Sequence, residues 1–131
     1  MQRLYFLAYL FIAVHSVFGF GPPSNNAASI SLGGACATLY NPFAIDNNIA
    51  VIPFAKNAIA ASAINQFGVS DYTQLSLAGN VKVNNTSIAL GYTNMPMATL
   101  TTQKIQVGFA KQFAENLSAG VGINYHIYSS V

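Results

Sequence analysis

The chain has 131 residues and a mass of 13.9 kDa, room for one domain at most. Only 6% of it is charged and 53% is hydrophobic, whereas an average soluble domain is roughly 25% charged. This composition excludes a disordered tail, and its five dispersed cations make no track for the phosphates of a nucleic acid. Much of the surface is therefore expected to face protein or lipid.

Arg3 supplies a positive start, Leu4 to Val14 is an apolar run, and Ser16-Val17-Phe18-Gly19 has the small or modest residues of a cleavage site. The run is short for a transmembrane helix, which needs about 20 apolar residues, and Pro22-Pro23 would stop any helix. Residues 1–19 are therefore expected to be a secretory signal peptide. Its removal takes Arg3 with it and leaves Lys56, Lys82, Lys104 and Lys111 against Asp46, Asp71 and Glu115.

Ala27 to Leu32 has the look of a short strand, and Gly33-Gly34 of a tight turn or a close backbone approach. A lone cysteine, Cys36, makes no intramolecular disulfide and is expected to be a small buried hydrophobe. A lipoprotein reading of Leu32 to Cys36 fails, because two prolines separate it from the apolar run. Asn41-Pro42 and Asp46-Asn47-Asn48 are turn chemistry. Ala58 to Phe67 alternates through Ile59, Ala61 and Ala63 and breaks parity at Ile64, which leaves a strand or an alanine-rich helical turn open.

From residue 72 the pattern is sharper. Leu75, Leu77, Gly79, Val81 and Val83 share one face of a strand, with Gln74, Ser76, Ala78, Asn80 and Lys82 on the other. Asn84-Asn85 suits a tight hairpin turn. Ile88, Leu90 and Tyr92 then alternate with Ser87, Ala89, Gly91 and Thr93. A longer connection is expected from Asn94 to Thr102. After it, Ile105, Val107 and Phe109 alternate with Lys104, Gln106, Gly108 and Ala110, and Ala114-Glu115-Asn116 makes a second short turn. Leu117, Ala119, Val121, Ile123, Tyr125 and Ile127 alternate with Ser118, Gly120, Gly122, Asn124, His126 and Tyr128. These are four antiparallel strands in succession, in an all-β, up-and-down meander.

The faces are unlike those of a soluble sandwich, whose outward face carries charge. Here the second face is small and polar, with Lys82 and Lys104 its only charges among the strand positions given above. Outer-membrane barrels have such strands, apolar toward lipid and small or polar toward a lumen. Segments of about 10 residues suit a tilted membrane strand. Phe67, Tyr72, Tyr92, Phe113, Tyr125 and Tyr128 are placed near strand ends, where aromatic girdles sit. Residues 20–131 are thus expected to form an incomplete outer-membrane β-barrel of about 5 to 6 strands, since the smallest such barrels need about 8. The chain then reads as the N-terminal part of a barrel, or as one that needs partners to close; Ser129-Ser130-Val131 follows directly on a strand, with no terminal aromatic.

Ser31-Leu32-Gly33-Gly34-Ala35, Tyr40-Asn41-Pro42 and Asn47-Asn48-Ile49-Ala50 resemble the mature N-terminus of PorV/PorQ-type and long-chain fatty-acid-transporter-like outer-membrane proteins. Asn65 to Val69 and Leu117 to Tyr125 are similar to strands of that group, so the resemblance spans residues 28–128. Ile49 and Val51 depart from it, where the group has Pro or Gln and Gly. The resemblance implies a barrel of more strands than this chain supplies, with roles in uptake of hydrophobic molecules or in service to a protein-secretion apparatus.

No enzyme is expected. His126 is the single histidine after the signal segment, and there is no HxxxH, CxxC, paired-carboxylate or GxSxG spacing. No catalytic, cofactor-binding or metal-binding residue is assigned, and no cofactor. The Asn-x-Ser/Thr matches at Asn84, Asn85 and Asn116 are common by chance in an Asn-rich chain. The expected function is passive uptake or transport of a hydrophobic or small solute across the outer membrane. The alternative is a structural or interaction barrel serving protein secretion, and a weaker one is a soluble exported β-protein. The expected partners are the lipid bilayer and further strands or secretion components.

Overall fold

A computed structural model describes residues 26–65, 68–97 and 99–130. The expected signal peptide, 1–19, and Phe67 lie outside the described residues. Five strands, β1 (Ala58–Asn65), β2 (Thr73–Val83), β3 (Thr86–Pro96), β4 (Leu100–Ala114) and β5 (Leu117–Ser130), pair antiparallel in chain order in a single sheet. The all-β meander expected from the alternation is therefore present. Among the described residues the sheet is open, with β1 and β5 at its edges and no closure into a barrel.

Period-two alternation decides the register. Along the middle of β2 to β5 the apolar residues of one strand stand opposite apolar residues of the next, because a one-residue slip would move every side chain to the other face. Leu77 thus faces Tyr92, Tyr92 faces Ile105, and Ile105 faces Tyr125. Asn84 adopts φ 55° in the β2–β3 turn, a left-handed conformation that asparagine tolerates and a two-residue hairpin requires. At the parity break, Ile64 remains in β1, opposite Gln74. The strand alternative is the one adopted there.

Two expectations are corrected. Residues Ala27–Ser31 form a short helix, α1, and not a strand. Asn26 caps it: its side-chain oxygen accepts from the Ser29 N–H at 3.0 Å, and the Asn26 N–H donates to the Ser29 hydroxyl at 3.2 Å. This reciprocal pair satisfies orphan donors that a strand would have had to satisfy with a neighbouring strand. The connection expected from Asn94 to Thr102 is also far shorter. Met95 and Pro96 belong to β3, opposite Thr102 and Thr101. Met97 and Leu100 exchange backbone hydrogen bonds in both directions, at 2.9 and 3.3 Å, which closes a tight hairpin. Pro96, the last residue of β3, forfeits little there by lacking an N–H. The longest link is instead residues 66–72, which contain the 3-10 turn η2 (Ser70–Tyr72).

Ahead of the sheet, residues 26–57 fold as a covering segment: α1, the helix α2 (Ala44–Asn47), and the 3-10 helix η1 (Ile49–Phe54). Gly33 and Gly34, at φ 61° and 85°, make the turn after α1. Asn48 caps η1 by accepting from the Ala50 N–H, and its own amide donates to the Ala37 carbonyl. Phe43, Ala44, Ile45 and Ile52 of this segment form the core with Ala78 and Ala89 of the sheet. Cys36 is buried, as expected, and its thiol donates to the Gly34 carbonyl.

Candidate functional site

The sheet has two faces of opposite character, and the covering segment lies on the small, polar one. Gln74, Ser76, Ala78 and Asn80 of β2, Ser87, Ala89 and Thr93 of β3, and Thr102, Lys104, Gln106 and Ala110 of β4 are all buried. Small side chains permit this close approach. A Cβ at Gly108 would stand 1.9 Å from Ile49 Cδ1, and one at Gly120 would stand 2.6 Å from Ile49 Cγ2 and 3.1 Å from the Ala50 nitrogen. Gly108 pairs directly with Gly122 across β4 and β5. Ile49 is thus a knob seated in a glycine-floored groove.

Polar contacts fix the same segment. Lys104 Nζ meets Asp46 Oδ1 at 2.6 Å, and the two side chains are only 7% and 4% exposed. Lys82 Nζ donates to the Pro53 carbonyl and to Gln112 Oε1, and the Ser118 hydroxyl donates to the Ala50 carbonyl. The buried Lys104–Asp46 pair costs desolvation, so its main effect is to specify position. Sequence reasoning had Asp46 as turn chemistry and Lys104 as an isolated charge. Nothing local signals a pair 58 residues apart. The glycines did carry a signal, since glycine inside a strand marks close approach of another backbone.

His126 is on this polar face, opposite Lys104, and its ring stacks on Tyr128 at 6.1 Å. Asn80 Oδ1, Ser87 Oγ and His126 Nδ1 are buried without a protein hydrogen-bond partner among the described residues. Such atoms suit a face that meets water more than they suit a dry core. Among the described residues no three His, Cys, Asp or Glu side chains gather as a metal-binding group. No helix among them is long and apolar enough to cross a membrane.

Among the described residues, no element covers the other face. Leu75, Leu77, Val81, Val83, Ile88, Leu90, Tyr92, Ile105, Phe109, Val121, Ile123 and Tyr125 are all exposed, Ile123 to 71%. Pairing arranges them in rows across the strands. The central row is Ile59, Gly79, Leu90, Val107 and Ile123. On one side is the row containing Tyr92 and Tyr125, and on the other the row of Val81, Ile88, Phe109 and Val121. Beyond these, Asn94 and Gln103 bound the face at one end, and Thr86 and Lys111 at the other. Aromatic rings on this face therefore flank the central row and are absent from it. Tyr92 and Tyr125, expected near strand ends, lie one row inside the row of Asn94 and Gln103. Tyr72, also expected near a strand end, lies in η2 directly before β2.

No family model, curated protein or solved structure matches this chain.

Proposed function

We propose that the chain is part of an outer-membrane β-barrel, similar to the PorV/PorQ-type and long-chain fatty-acid-transporter-like proteins, delivered by signal peptide 1–19. In this reading it serves passive uptake of a hydrophobic or small solute. The observation that carries the reading is the inversion of burial: among the described residues, the polar face is covered by the chain itself and the apolar face is left uncovered. Water penalises such an arrangement, whereas lipid favours it. The row order supports it further, with an aliphatic central row flanked by the rows that hold Tyr92, Tyr125 and Phe109. From Thr86 to Asn94 strand β3 runs about 27 Å at ~3.4 Å per residue. A tilt of ~40° reduces that to roughly 20 Å, a little below the ≈ 25 Å apolar band of such barrels. The edges β1 and β5 would pair with further strands, because lipid tolerates no open ladder.

The chain contains no tryptophan, so a single tryptophan can report the surroundings of one position. Leu90→Trp, in the central row, should be strongly quenched by brominated lipid in reconstituted vesicles, while Tyr40→Trp in the covering segment should not. Equal quenching at both positions, or recovery of the native chain from the periplasm without detergent, would sink the membrane reading. Liposome swelling then tests transport. A well-folded, inserted chain that passes no small or hydrophobic solute points to the second reading, a barrel that serves a secretion apparatus. One observation favours that reading: residues 43–55 occupy the face that would otherwise line a passage. Pull-down of secretion components is its test.

A further inference from the structure

The charges of the described residues are distributed unevenly between the two ends of the sheet. Lys56 lies just before β1, Lys82 near the end of β2, and Lys111 opposite Thr86 at the start of β3. All three are at the end that holds the Asn84-Asn85 and Glu115-Asn116 turns, with Glu115 the acid there. The opposite end holds Asp71, in η2. The remaining charges, Lys104 and Asp46, neutralise one another in the buried pair.

The three lysines at the hairpin end differ in what they are free to do. Lys82 is engaged by Pro53 and Gln112. Lys56 and Lys111 are exposed. Lys111 is on the apolar face, between Phe109 and Phe113 of its own strand, and its ammonium lies 5.9 Å from the centre of the Phe113 ring. Phe113 is the neighbour toward the turn. The side chain thus lays its methylenes along apolar surface and carries its charge away from the central row, as lysines do at a membrane boundary. Phe113 and Leu117, both exposed, extend the apolar surface past Lys111 to the last residues of this hairpin.

We propose that the hairpin end of the apolar face sits among anionic lipid headgroups, with Lys111 and Lys56 as the cations that meet lipid phosphate and Phe113 as the boundary anchor. This rests on the lipid-facing reading above and adds a polarity to it: one end of the sheet prefers an anionic headgroup layer and the other does not. Charge complementarity selects the partner, since an exposed ammonium on the apolar face, Lys111, with a second exposed one, Lys56, at the same end of the sheet, matches a phosphate layer over hydrocarbon. Each lysine near such a surface strengthens binding roughly five-fold.

The test uses the full chain with neutral phosphatidylcholine vesicles and with vesicles in which about a third of the lipid is phosphatidylglycerol. The expected result is stronger binding to the anionic vesicles, weakened by salt, because exposed charges are screened. Lys56→Gln with Lys111→Gln should abolish that preference while leaving binding to neutral vesicles and the circular dichroism spectrum unchanged. Equal binding of the unaltered chain to both vesicle types overturns the headgroup assignment and leaves the lipid-facing reading standing. So does a preference that survives the double substitution. Binding to neither vesicle type overturns both.

Discussion

The two faces of this sheet belong to the same five strands and share one backbone, yet their burial is the reverse of what side-chain polarity alone would give. Gln106 is 2% exposed, while its neighbour Ile105, on the other face of the same strand, is 43% exposed. The difference teaches that burial here follows size and polar pairing more than hydrophobicity. Glycine, alanine and serine let the backbone of residues 45–50 come close, and glutamine, asparagine and lysine find hydrogen-bond partners once covered. Leucine, valine and isoleucine on the other face have no element above them among the described residues.

The comparison can be broken at the covered face first, where the largest effects are expected. Asp46→Asn or Lys104→Met should destabilise the fold by about 3–5 kcal/mol, because each leaves a buried charge without its counter-charge. Combining Asp46→Leu with Lys104→Met should recover most of that loss, since an apolar pair of similar size carries no desolvation cost. Denaturant unfolding of the single and double variants measures both. If the singles cost no more than a surface substitution, the pair is not closed off from water and the covering segment is not seated as described.

A smaller effect is expected where packing alone is changed. Gly120→Ala should cost about 1–3 kcal/mol by overpacking, because its new Cβ meets the backbone nitrogen of Ala50 and not only the flexible Ile49 side chain. Gly108→Ala meets chiefly the tip of Ile49, so adding Ile49→Ala should relieve it while relieving Gly120→Ala only in part. A double-mutant cycle on unfolding free energies separates the two cases. Asn26→Ala should remove the side-chain half of the α1 cap, the bond accepted from the Ser29 N–H, at a cost of about 1 kcal/mol, read by the same unfolding measurement.

The smallest effect on stability is expected on the uncovered face. Ile123→Ser should change the unfolding free energy of the lipid-free chain by no more than about 0.5 kcal/mol, as for other exposed positions. The same substitution should weaken quenching of a Leu90→Trp reporter by brominated lipid, since it removes apolar surface from the central row. Should Ile123→Ser destabilise the lipid-free chain as much as Gly120→Ala does, the two faces would not differ and the comparison would fail.

Much of the sheet was legible in the residues. Strict alternation from Gln74 to Val83 and from Leu117 to Tyr128 defines strands and faces without reference to any other part of the chain. The Asn84-Asn85 pair names its own turn. The region before residue 58 was much less legible, because capping decides it locally and contacts decide it globally. Ala27 to Ser31 has no apolar period to declare a helix, and only the exchange between Asn26 and Ser29 makes one. Met95-Pro96-Met97 suggested a loop through its proline, yet the ladder with Thr101 and Thr102 runs through it because a proline at a strand end forfeits little.

By itself, then, the sequence determined four of the strands, β2 to β5, and their division into an apolar and a small, polar face, since both follow from a period of two that each of these strands carries internally. Only the tertiary structure decided which face would be covered and by what. That outcome depends on Ile49 reaching Gly108 and Gly120, and on Asp46 reaching Lys104 across 58 residues. Contacts between segments so far apart leave no periodic trace in either one.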